Sequence, residues 1–194
     1  MNFLNKYLSE HIKISNSLDL KVILKIILNI LKIKKNNGRL FIIGVGGSAA
    51  NASHAVNDFR KLCGIEAYSP TDNISELTAR ANDEGWESIF EGWLKVSNIN
   101  KNDALFVFSV GGGNFKKNVS INIIKAIQLA KNKKTKILSI VGKNDGYAAM
   151  HSDECLIVPC FNNKNITPHS ETFQTMIWHM IVTHPLLKKN KTKW

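Results

Sequence analysis

The stretch Leu40-Phe-Ile-Ile-Gly-Val-Gly-Gly-Ser-Ala-Ala-Asn-Ala-Ser-His-Ala-Val-Asn-Asp58 decides the fold. A short apolar run, Leu40 to Ile43, meets Gly44, Gly46 and Gly47 and then passes into small residues at helical spacing. The pattern predicts strand, turn and helix. Glycines let a backbone approach a ligand closely, Ser48 stands where the first N–H groups of the helix point outward, and the helix dipole favours an anion there. The turn is expected to cradle a phosphate. Taken alone, a tight structural turn is the competing reading. No Gly-Lys-Ser/Thr follows, which excludes a P-loop, and Ala49 stands where a dinucleotide turn would carry its third glycine. The helix that begins here also carries His54 and Asp58, four apart and therefore on one face.

The 194 residues suit one domain, 44% hydrophobic as globular chains are. The net charge of +11 is spread over isolated lysines with one denser run, Lys188, Lys189, Lys191 and Lys193. No aromatic residues interleave them, so a solvated surface is expected and a nucleic-acid platform is not. Cys63, Cys155 and Cys160 are widely spaced without a C-x-x-C, which predicts free thiols in a reducing cytoplasm. Lys21, Lys25 and Lys32 interrupt the apolar residues from Leu20 to Ile33, so neither a signal peptide nor a membrane span is expected.

Two helices are expected over residues 2 to 35, the second so apolar that subunit packing should cover part of it. A short strand is expected from Glu66 to Pro70, a helix from Asn73 or Ser75 towards Arg80, a polar break at Asn82 to Gly85, and a helix from Trp86 to Val96. Asp103 to Ser109 is a second buried strand running into Gly111, Gly112 and Gly113. A helix from Asn118 to Lys131, strands Lys136 to Val141 and Glu154 to Val158, and a last helix opened by Thr167-Pro168 complete the chain. Alternating strands and helices imply a parallel sheet covered on both faces, with ligands at the carboxyl ends of the strands.

The segments Gly44 to Ala50 with His54, Leu77 to Asp83, the strand ending at Ser109 and the final helix with His179 resemble the sugar isomerase (SIS) domain, and within it the phosphoheptose isomerases. The resemblance covers nearly the whole chain. It implies a three-layer αβα, flavodoxin-like sandwich forming one SIS domain over 1–194, with 1–36 a helical extension used in subunit packing. It further implies a cytoplasmic homotetramer with sites shared between subunits. Gly46, Gly47, Ser48 and Ser109 are assigned by it to the sugar phosphate, and Asn82 and Asp83 to the sugar hydroxyls. A zinc ion on His54, Asp58, Glu171 and His179 is implied as well. Asp58 stands where the family usually has glutamate, and Glu171, also a candidate substrate ligand, where it usually has glutamine. The second turn is poor in the family's hydroxyls, which leaves phosphate binding more dependent on backbone N–H groups.

The implied reaction converts sedoheptulose 7-phosphate to an aldoheptose 7-phosphate through an enediol, with Asp58 and His179 as the proton-transferring pair. Its product would feed lipopolysaccharide or capsule heptose. The alternative is a non-catalytic SIS protein that binds a sugar phosphate or a replication-initiator partner. Asp58 can also serve as a structural partner for Arg60 or Lys61, and His11, His151, His169 and His184 are read as structural. Glu171 and His179 lie eight apart, about 12 Å along a helix. Either the last helix begins after Glu171, or a neighbouring subunit completes the site.

Overall fold

In the computed structural model, which describes residues 1–192, five strands form an all-parallel sheet: β1 (Leu40–Ile43), β2 (Ala67–Tyr68), β3 (Ala104–Ser109), β4 (Lys136–Val141) and β5 (Glu154–Ile157). Lys193 of the C-terminal basic run lies outside the described residues. Side chains alternate along a pleated strand, and here they supply two cores. Leu40, Ile42, Ala104, Phe106 and Phe108 enter one hydrophobic cluster, and Phe41, Ile43, Leu105 and Val107 enter the other. Helices α1 (Asn2–Asn16), α2 (Leu20–Lys35), α3 (Gly47–Cys63) and α8 (Ile166–Thr183) cover the first. Helices α4 (Ile74–Asp83), α5 (Ile89–Val96), α6 (Ile121–Asn132) and α7 (Tyr147–His151) cover the second. The expected three-layer sandwich is what forms.

The strand order β2-β1-β3-β4-β5 positions the site. The chain leaves β1 for β2 on one side and then crosses to β3 on the other, which opens a crevice at the carboxyl ends of β1 and β3. Ile43 pairs with Val107, so the two glycine turns depart side by side. At the opposite edge Asp103, almost fully buried, accepts from Arg39 N at 3.0 Å, Arg39 Nη2 at 2.8 Å and Asn100 N at 3.0 Å, tying the starts of β1 and β3 together. That carboxylate also pushes the Arg39 pKa further up.

Several boundaries differ from expectation for local reasons. The strand around residue 67 is only two residues long and gives way to a 3-10 turn at Pro70–Asp72, because proline cannot donate to the ladder. Helix α4 runs through Asp83, past the expected break, and stops at Gly85, whose φ is +86°. A 3-10 turn, Trp86–Ser88, precedes α5. Asn118 and Ser120 have φ of +50° and +52°, so α6 starts only at Ile121. Helix α8 opens at Ile166 behind Asn165, which places Thr167 inside it, not at its cap. The three cysteines are unpaired, and burial pushes the Cys63 and Cys155 thiols up to about 11 and about 12. No helix among the described residues is long and apolar enough to cross a membrane.

Candidate functional site

Gly46 makes the first turn possible. Its φ of +63° with ψ of −129° is open to glycine and costly for any other residue. Ala49 N and Ala50 N both donate to Gly46 O, at 2.9 and 3.2 Å, so the N–H groups of Gly47 and Ser48 precede the first helical bonds and form the anion-attracting end of α3. Glu171 lies over this end: a Cβ on Gly47 would meet the Glu171 Cδ at 2.5 Å. Asn51 holds the two helices together, its Nδ2 donating to Glu171 O at 2.9 Å and to Gln174 Oε1 at 3.0 Å. Thr175 Oγ1 donates in turn to Asn51 Oδ1 at 2.8 Å.

The second turn is built from backbone. Gly112 N donates to Ser109 Oγ at 2.9 Å, which leaves the serine proton free to donate. The turn's carbonyls are taken by neighbours: Val110 O by Gly142 N, Gly112 O by Ala148 N and Gly113 O by Tyr147 N, at 2.9, 2.9 and 2.8 Å. Among the described residues the N–H groups of Gly111 and Gly113 have no protein acceptor. A turn with three of its carbonyls occupied and two of its N–H donors open suits an anion.

Further along α3, past Ser48, His54 and Asp58 are presented to His179 of α8. One ligand atom from each of the three lies within 4.8 Å of the others. His179 Nδ1 meets Thr175 O at 2.9 Å; a carbonyl only accepts, so Nδ1 carries the hydrogen and Nε2 is the working nitrogen. Nε2 stands 3.8 Å from Asp58 Oδ2, while Asp58 Oδ1 accepts from Asn57 Nδ2 at 2.8 Å. A neutral Nε2 lone pair facing a carboxylate calls for a proton or a cation between them. Two imidazoles and one carboxylate at this spacing are a donor set that fits zinc with an open fourth position. Trp178, fully buried, fixes the wall of the group, its ring edge-on to His54 at 4.7 Å between centroids. Arg60 is engaged elsewhere, with Nη1 on Ala67 O at 3.1 Å and its guanidinium over the Tyr68 ring.

Helix α8 is continuous from Ile166 to Thr183, so it does not begin after Glu171. Within one chain, three of the four expected metal residues come together, and Glu171 stands at the phosphate turn two helical turns away. Asn82 and Asp83 are exposed at the end of α4, with Asn82 Nδ2 donating to Asp83 Oδ1 at 2.7 Å. One neighbour of the second turn was missed in the sequence: Ser120 sits at the N-cap of α6 with its hydroxyl not used as a cap, and its carbonyl oxygen lies 3.3 Å from where a Cβ on Gly113 would stand. A serine before the helical Ile-Asn-Ile-Ile pattern was the available signal.

Residues 6–142 match the family model described as SIS domain. A phosphoheptose isomerase of Helicobacter pylori (strain ATCC 700392 / 26695) is 33% identical over 152 residues, covering 76% of this chain and 73% of that one. A phosphoheptose isomerase of Aneurinibacillus thermoaerophilus is 27% identical over 192 residues, covering 92% and 91%. The solved structure of phosphoheptose isomerase GmhA from Neisseria gonorrhoeae superposes with a TM-score of 0.80 at 22% identity, covering 93% of this chain and 95% of that one.

Proposed function

From the premise that the chain belongs to the SIS domain family, among the phosphoheptose isomerases, we propose that it is a ketose-aldose isomerase converting sedoheptulose 7-phosphate to D-glycero-D-manno-heptose 7-phosphate. The observation that carries this reading is the His54, Asp58 and His179 group beside a glycine turn that can hold a phosphate. The phosphate sits on the N–H groups of Gly47 and Ser48, with the Ser48 and Ser109 hydroxyls and the second turn closing on it. Glu171 and the Asn82-Asp83 pair bind sugar hydroxyls. His179 Nε2 takes a proton from C1 of the open-chain ketose, an enediol forms between C1 and C2, and the same nitrogen returns a proton to C2. The proton on the C1 oxygen passes to the C2 oxygen as the aldehyde forms, so carbonyl and hydroxyl change places and the reaction is balanced without a redox partner. Asp58 steadies the imidazolium through Oδ2. Zinc, when bound, would be held by His54 and Asp58 and would supply polarisation of the carbonyl, with His179 left off the ion because its single open nitrogen, Nε2, is the base. The remaining assignments rest on the same reading: one domain over 1–194, a cytoplasmic homotetramer with shared sites, and a product used for lipopolysaccharide or capsule heptose.

The test is metal content together with turnover of sedoheptulose 7-phosphate, for the wild type and His54→Ala in parallel. Bound zinc and turnover in the wild type, both lost in the variant, support the reading. Phosphosugar binding without turnover in the wild type overturns it and leaves a sugar-phosphate sensor.

A further inference from the structure

At the edge of the sheet opposite the glycine turns, Lys32, Lys101, Lys131, Lys134 and Lys136 line one cleft of about 480 Å³ with a single acid, Asp153. Lys101 and Asn102 precede β3 and Lys136 opens β4, so the cleft lies at the amino ends of the strands, about 20 Å of strand rise from the turns at their carboxyl ends. The volume falls within the usual range for small-molecule sites.

Asp153 is already occupied. It accepts from Lys136 Nζ at 3.0 Å and Ile137 N at 2.7 Å. Among the described residues, Lys32, Lys101, Lys131 and Lys134 make no ion pair. Four uncompensated cations therefore share a cavity whose width is on the order of one Debye length in physiological salt. Lys32 and Lys131 stand in the last turns of α2 and α6, where a cation also faces the helix carbonyl ends. Lys101 and Lys134 belong to turns and have no such role; Lys134 is fixed at φ +57° with its N–H on Lys131 O at 2.9 Å. The Asn36 and Asn102 carboxamides add neutral donors, and Ile33, Ile137 and Met150 provide an apolar floor.

We propose that this cleft binds a condensed phosphate, a diphosphate or triphosphate group. An anion of charge three to four matches the four free lysines, whereas a monophosphate leaves about half of them uncompensated. The group can be inorganic or carried by a nucleoside, and the floor admits either. The experiment is a calorimetric titration of the full chain with tripolyphosphate, ATP and inorganic phosphate at equal ionic strength. Wild type, Lys101→Gln/Lys134→Gln and Ser48→Ala are compared. Saturable binding of tripolyphosphate or ATP, weakened at least about tenfold in the lysine variant and unchanged in Ser48→Ala, supports the site. ATP bound tighter than tripolyphosphate assigns a nucleotide, and equal binding assigns the bare phosphate chain. The lysine variant should keep its isomerase turnover and its circular dichroism. No saturable binding, equal binding by the lysine variant, inorganic phosphate binding as tightly as tripolyphosphate, or loss of binding in Ser48→Ala each overturns it. Because the readout is binding, its failure is separate from any failure of the isomerase reading.

Discussion

Gly46 and Gly47 are adjacent, yet alanine should do opposite things at the two positions. At Gly46 a Cβ meets nothing within 4 Å, but φ of +63° strains any L residue, so Gly46→Ala should cost about 1–3 kcal/mol in denaturant unfolding. At Gly47 the backbone is helical and the atoms nearest the added methyl belong to the flexible Glu171 carboxylate. Gly47→Ala should therefore fold with near wild-type stability while its KM for the sugar phosphate rises. The reverse ranking in unfolding would refute this account of the turn. At His179, whose Nε2 is the one nitrogen left open by the Thr175 carbonyl, alanine should lower kcat by about 10²–10⁴ with little change in stability; a loss below about threefold would remove it from proton transfer. The His54 and Asp58 pair was legible because a four-residue spacing fixes a helix face. The place of Glu171 was not, because it depends on how α8 crosses α3, a tertiary relation that the Asn51 bridge settles.

Among the elements, β1 and β4 have the bounds their apolar runs announce, since a strand buried on both faces needs an uninterrupted run. Helix starts were less legible. Asn118 and Ser120 before α6 take a left-handed conformation that few non-glycine residues adopt and no local pattern announces, and the Asn165 start of α8 has no capping side-chain bond to mark it. The N-terminal helix is held by a contact that no local pattern shows: Glu10, buried in α1, accepts from His169 Nε2 at 2.7 Å, Asn165 Nδ2 at 2.8 Å and Asn162 Nδ2 at 2.9 Å. These bonds, that from His169 foremost, hold the Glu10 pKa down at about 2 against an ordinary 4.5. A carboxylate with a depressed folded pKa stabilises the fold fully above its unfolded value and loses that contribution as pH falls towards the folded one. Stability should thus decline between about pH 4.5 and pH 2, and Glu10→Gln should flatten that acid limb in urea midpoints measured against pH. An unchanged limb would show that Glu10 does not anchor α1. At the other edge, Asp103→Ala strips Arg39 of its buried partner and should cost about 3 kcal/mol; a cost below about 1 kcal/mol would show the network to be incidental.

At the scale of the whole molecule, the two N-terminal helices leave an apolar surface uncovered. Leu4, Leu8 and Ile12 form one row four residues apart on α1, and Leu20, Leu24 and Leu28 form another on α2, each between 45% and 63% exposed. Rows at this spacing are the ridges by which helices pack into one another's grooves. Six large side chains in two such rows exceed what an isolated soluble chain usually shows to water. Helix α2 was expected to need cover on more than one face, and within one chain it is covered on one. A second copy of the same helices supplies matching ridges, as a two-fold interface requires. If a second copy covers these rows, the wild type should scatter light as an oligomer and Leu24→Lys with Leu28→Lys as a monomer, while the far-ultraviolet circular dichroism stays the same, because neither side chain enters the core. Turnover adds a second readout: if a neighbouring chain completes the site that Glu171 and His179 leave split along α8, the monomer loses isomerase activity with His54, Asp58 and His179 intact. A monomeric wild type would refute the interface. A monomeric variant that turns over normally would show that each chain carries a complete site and that Glu171 acts on the substrate from its place above Gly47.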